Sequence, residues 1–145
     1  MVGVEIDFVV KDVREAINLY LRIFDVTIVE QSNLERGLNE VVFTLYDTRF
    51  HMLDENPAYH LHSPATDRPA AFWFNVTVND IADTFRKALE AGCIEVQPLT
   101  EHVGMGVTNA IVLDPFGYIW MLHQVHEVVS YEDRIEYMTG EPIRA

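Results

Sequence analysis

The sequence predicts an α+β fold built of two βαβββ modules followed by a short C-terminal helix. Two observations carry that expectation. A strand running into a capped helix occurs twice, at an offset of 68 positions from Asp12 to Asp80, and each copy is followed by three further sheet-like segments. A third supports it near the end of the second copy, where Asp114-Pro115-Phe116-Gly117-Tyr118-Ile119-Trp120-Met121-Leu122-His123 is a tight turn feeding a strand. Asp and Pro start the turn, Gly117 tolerates the positive φ that closes it, and the apolar residues after it fit a pleated, half-buried surface.

The first module spans residues 1–55. Val4, Ile6, Phe8 and Val10 alternate with Glu5, Asp7 and Val9, the period-two pattern of a strand with two different faces. Asp12 then caps a helix with Glu15 three residues on, and Val13, Ala16, Ile17, Tyr20 and Phe24 recur at helical spacing. Sheet-like segments follow at Thr27 to Glu30, Val41 to Tyr46 and Arg49 to Leu53, the last two joined by a hairpin at Asp47-Thr48 that lacks the favoured glycine.

Residues 56–69 contain three prolines and no period, and read as the linker between modules. The second module, 70–126, begins with Phe72, Phe74, Val76 and Val78 alternating with Trp73, Asn75, Thr77 and Asn79. Asp80 caps a helix whose inner side carries Ile81, Thr84, Phe85, Ala88 and Leu89, and Gly92 ends it. Strands are expected at Glu95 to Leu99, Val107 to Leu113 and Tyr118 to His123. Together 1–126 form a single domain, and 127–145 a helical tail. There Ser130 with Asp133 makes a capping box, Tyr131, Ile135 and Met138 line one face, and Gly140 is the stop. With little core left to cover, that helix is expected on a partner subunit or across its own domain.

Length and composition set the class. At 145 residues and 49% hydrophobic content the chain can bury one real core. The formal charge of −13 repels phosphate backbones and anionic lipid surfaces, which argues against nucleic acid and membrane as partners. No apolar run approaches the roughly 20 residues that span a bilayer, no basic leader opens the chain, and Cys93 is the single cysteine, so a soluble, cytoplasmic protein is expected. Cys93, in an Ala-Gly-Cys-Ile junction, reads as a small buried hydrophobe.

The repeated unit, with Asp114 to Trp120 near its end, resembles the vicinal oxygen chelate superfamily, the glyoxalase/bleomycin resistance/dioxygenase fold, and within it the PhnB-like branch. The residues that carry the resemblance are Val10-Lys11-Asp12, Leu19 to Phe24, Met52-Leu53-Asp54, Val78-Asn79-Asp80, Ala88 to Gly92 and Asp114 to Trp120. It implies a glyoxalase/bleomycin-resistance-type open barrel, two curled modules around a cavity. In metal-using members one His, Gln or Glu from each of four strands holds a divalent ion.

Carried over position by position, those ligands fall on Glu5, Trp73, Met121 and either His51 or Leu53, whose side chains share a face. Trp73 cannot coordinate, and the Met121 thioether is a poor ligand for a hard ion. At best Glu5 and His51 remain, fewer than the three ligands a stable site needs, so no cofactor is expected and a divalent metal is disfavoured. His60 and His62 lie in the linker, and His102 in a glycine-containing loop that can fold over a ligand.

Alternation proposes a ligand pocket of Glu5, Asp7, Trp73, Asn75, Thr77, Met121 and His123, to which the resemblance adds His51, with an aromatic wall and a few carboxylate and amide groups. Glu5 and Asp7, about 7 Å apart on one strand, are the candidate acid and base, unless they are solvated or paired with an arginine such as Arg49. The expected function is binding of a small hydrophobic or aromatic ligand by a metal-free homodimer. The alternatives are a metal-dependent lyase, isomerase or dioxygenase of the same superfamily, and a protein-interaction module with a vestigial cavity.

Overall fold

In the computed structural model, which describes residues 1–141, the elements follow the expected order: β1 (Asp7–Val10), α1 (Val13–Ile23), β2 (Val26–Gln31), β3 (Glu40–Leu45), β4 (Thr48–Asp54), then β5 (Trp73–Thr77), α2 (Ile81–Glu90), β6 (Ile94–His102), β7 (Val107–Leu113), β8 (Ile119–Val125) and α3 (Tyr131–Thr139). Each module makes a four-stranded sheet, β1-β4-β3-β2 and β5-β8-β7-β6. In both, the first strand runs parallel to the last, Asp7 beside His51 and Asn75 beside Met121. Two βαβββ modules and a short C-terminal helix are therefore what the chain forms.

The caps act as the spacing requires. The Asp12 carboxylate accepts the N–H groups of Arg14 and Glu15 at the start of α1, and that of Asp80 accepts Asp83 N–H at the start of α2. A second acceptor reaches each helix from the far end of its own sheet. Buried Asp54, at the end of β4, takes Val13 N–H at 2.9 Å, and Gln124 on β8 takes Ile81 N–H at 3.0 Å. These bonds fix each helix against its sheet.

One core joins the modules. Phe8 and Phe50 from the first sheet meet Phe74 from the second, and Tyr20 on α1 and Phe24 at its C-cap pack against Trp120 on β8. The helix-bearing faces of both sheets thus turn toward each other, with α1 against α2, and the other face of each sheet looks outward. At the centre Asp114 is fully buried. Its carboxylate accepts Tyr20 O–H at 2.6 Å, Trp120 Nε1–H at 2.8 Å, and the N–H groups of Phe116 and Tyr118. The Asp-Pro-Phe-Gly turn is thereby tied to α1 of the other module. Gly117, at φ 93, closes it against the linker, where an added Cβ would meet the Ala65 backbone nitrogen at 2.6 Å.

Several local expectations change. β1 starts at Asp7, and Val4 and Ile6 are 97% and 47% exposed, because the core above the inner face of β1 begins at Phe8. The β3–β4 turn falls on Tyr46 and Asp47, one residue early, with Tyr46 in the left-handed region at φ 52. Leu89 lies on the solvent side of α2. The linker contains a 3-10 turn at Pro57–Tyr59. The tail helix buries none of its residues, and Tyr131 and Met138 are exposed. It rests on its own chain through Tyr137, whose ring lies where a Cβ on Gly104 would be.

Candidate functional site

The predicted site residues sit on the outward faces of the two sheets, in two separate groups. On the first sheet His51 stands on β4 beside Asp7 of β1, and its imidazole collects carboxylates from three directions. Nδ1 lies 3.0 Å from Glu5 Oε1 and 3.5 Å from Asp7 Oδ2, and Nε2 lies 3.3 Å from Glu40 Oε2. The parallel pairing of β1 with β4 places the first two acids on His51, and the antiparallel pairing of β3 with β4 brings Glu40. Arg49 adds a looser contact to Glu5 at 3.8 Å. Sequence reasoning missed Glu40, since only the β3–β4 register puts it here.

Each group responds to its neighbours. Partial burial opposes a charge on His51, but the bonds to Glu5 and Glu40 outweigh it and hold the imidazole pKa above its ordinary value. Asp7 is pushed up, by burial first and then by the adjoining Glu5. Glu5 is drawn down by Asp7 and His51. Neighbouring carboxylates with pKa values moved apart are a pattern shared by acid–base pairs and by structural clusters. The arrangement presents excess negative charge around one imidazole, able to receive a cation or a positively charged group, or to exchange a proton.

Glu5, Asp7 and His51 also offer donor atoms that all lie within 4.8 Å of one another, the one such group of three or more among the described residues. Of the two residues the spacing left open, His51 lies against Glu5. The other two places implied by the resemblance, Trp73 and Met121, lie on the second sheet. The first module alone carries three donors, one more than the sequence count of Glu5 and His51.

On the second sheet, Trp73, Asn75 and Thr77 of β5 face outward beside Ile119, Met121 and His123 of β8. Trp73 is 51% exposed, a large indole face without cover. His123 lies beside Asn109 of β7, and its Nδ1 is buried without a partner. Burial and nearby His102 hold its pKa below the ordinary value. His102 itself reaches Asn109 through Nε2 at 3.3 Å. His60 and His62 remain in the linker, exposed.

The sequence profile of the Glyoxalase/Bleomycin resistance protein/Dioxygenase superfamily matches residues 4–122. The chain belongs to that superfamily. No curated protein matches it by sequence. Among solved structures it is similar to the fosfomycin resistance protein FosX from Listeria monocytogenes, complexed with Mn(II) and sulfate, at TM-score 0.67 and 13% identity over 95% of this chain and 98% of that one. The PhnB protein from Bacillus cereus gives TM-score 0.65 and 19% identity over 86% of this chain and 100% of that one. A gene product of Arabidopsis thaliana gives 0.68 and 21% over 84% and 98%. At these identities the likeness is one of fold, and function must be argued from the site.

Proposed function

We propose that this member of the glyoxalase/bleomycin resistance superfamily binds a small hydrophobic or aromatic compound and does so without the superfamily's four-ligand metal centre. The observation that carries the reading is Trp73. At a position where the resemblance calls for a metal ligand, the chain exposes half an indole on a sheet face, with Met121 nearby on β8. An exposed aromatic beside a deformable thioether binds planar apolar surfaces and serves a hard ion poorly. The carboxylates around His51 form a second, anionic half-site, which favours a ligand carrying positive charge.

Within one chain these half-sites look away from each other, so a cavity walled by both needs a second copy. We propose a homodimer in which the outward face of the first sheet of one copy and that of the second sheet of its partner share one ligand. A buried, unpaired Cys93 supports a reducing, cytoplasmic setting. The test is tryptophan fluorescence against a library of small aromatic compounds, with and without charge, read together with light scattering. Saturable quenching that Trp73→Ala abolishes is expected, from a dimer. Binding unchanged in Trp73→Ala overturns the placement of the ligand, and a monomer overturns the shared cavity.

A second reading, a metal-dependent lyase, isomerase or dioxygenase, is favoured by one observation, the converging donors of Glu5, Asp7 and His51. Those residues would hold a divalent ion, which supplies Lewis-acid activation of a bound oxygen. His51 would first give up the proton that its carboxylate neighbours stabilise, so metal affinity would fall in acid. Elemental analysis of protein purified without chelator decides: near-stoichiometric metal lost on Glu5→Gln supports this reading, and metal-free protein supports the first.

A further inference from the structure

Four consecutive residues of β5, Phe74 to Thr77, line one cleft of ≈ 240 Å³ between the modules. Side chains of a strand alternate between its faces, so a cavity touched by four in a row lies against the strand's edge. Among the described residues that edge is free, because β5 stands at the end of its sheet and pairs with β8 alone. Its unpaired backbone amides and carbonyls are available beside the cleft.

The floor is aromatic. Phe50, Phe74 and Trp120 are all buried and reach the cleft from both modules, Phe74 and Trp120 stacked with ring centroids 4.3 Å apart. The polar groups that line it are those of Thr48, Asn75, Thr77 and Tyr46, and among the described residues no charged side chain does so.

Tyr46 supplies an independent observation. It occupies the β3–β4 turn at φ 52, a left-handed conformation that glycine adopts freely and a bulky residue resists. A tyrosine stands at this turn although it strains the backbone, and it forms part of the cleft wall while 40% exposed. Strain of this kind gathers where a side chain is needed for contact.

We propose that this inter-module cleft is a second binding site, taking a small, neutral, planar aromatic compound with one hydrogen-bonding group, such as a phenol. Its ring lies on the Phe50, Phe74 and Trp120 floor under Tyr46, and its polar group meets the free edge of β5. The volume, below the roughly 300 Å³ where drug-sized pockets begin, limits the ligand to one or two fused rings. The site adjoins the outward face that carries Trp73, sharing Asn75 and Thr77 with it, but Trp73, Met121 and the residues of the His51 cluster do not line it.

The experiment titrates 4-methylphenol into the ¹⁵N-labelled full chain. Saturable shifts are expected at the amides of Thr48 and Phe74 to Thr77 and at the Trp120 indole. Tyr46→Gly should weaken binding about three- to tenfold, the range of one aromatic contact, while leaving the melting temperature equal or higher. Thr77→Arg, an exposed rim position, should weaken it likewise by filling the mouth. The proposal is overturned if no shift saturates, if the shifts centre on Trp73 and Met121, or if both variants bind as the wild type does.

Discussion

Replacing Tyr20 by Phe removes one hydroxyl from a fully buried position and nothing else, which makes it a clean probe of how the modules are held together. That hydroxyl donates at 2.6 Å to Asp114, a carboxylate with no solvent exposure that also accepts Trp120 and two backbone N–H groups. A hydrogen bond to a charged group contributes about 1.5 to 3 kcal/mol, and because three donors remain we expect a loss of about 2 kcal/mol. With a urea slope of about 2 kcal/mol per molar, the unfolding midpoint should fall by about 1 M. Trp120, in the same cluster, reports the transition by fluorescence. Burial raises the Asp114 pKa although Tyr20 and the other donors pull it down, and the variant should raise it further. A carboxyl whose folded pKa lies above its unfolded value near 3.8 loses stability as pH rises through the folded value, so the deficit should be larger at neutral pH than in acid. A deficit under about 0.5 kcal/mol, or one that shrinks toward neutrality, would refute the reasoning.

Three further outcomes follow from the same geometry. NMR titration should give His51 a pKa above 6.5, brought down by Glu5→Gln and by Glu40→Gln; its stabilising contribution is full below the unfolded value and lost as pH rises through the folded one, so a pKa at or below 6.5 contradicts the cluster. Gly117→Ala forces a Cβ to 2.6 Å from the Ala65 nitrogen at φ 93 and should cost about 1 to 3 kcal/mol in thermal unfolding, an unchanged melting curve being the contrary result. Cys93, whose thiol burial pushes up to about 12, should resist a thiol reagent at neutral pH until the protein is denatured; fast labelling of the native chain would show the site to be open.

Much of the fold was legible because it rests on local signals. Asp12 and Asp80 cap the helices they were expected to cap, and Phe8, Val10, Phe74 and Val76 face the core as alternation required. What failed depended on where partners end. Nothing local shows that the core stops short of Val4 and Ile6, or that Leu89 clears it. The turn at Tyr46 was misplaced by one residue because a tyrosine in the left-handed region has no turn signature. On the first sheet, alternation put Glu5 and Asp7 on one face and the resemblance offered His51 or Leu53, but Glu40 joins His51 through strand register. The sequence also could not reveal that the faces bearing Glu5 and Trp73 point away from each other, since that follows from which faces of the two sheets share the core.

The duplication explains why the inner and outer surfaces diverged so differently. Equivalent inner positions kept one physical task. Asp54 and Gln124, different residues from the two copies, each accept the first N–H of their module's helix, and Phe8 and Phe74 lie in one aromatic cluster. The outer positions carry no such constraint, and they separated by polarity. Glu5, Asp7 and His51 place titratable groups on one sheet, while Trp73, Asn75 and Met121 present uncharged side chains on the other. A metal centre drawing one ligand from each of four strands would have tied the two outer faces to a common chemistry. Under the proposed function, their division into an anionic half and an aromatic half suits the two ends of one unsymmetrical ligand better than a single ion.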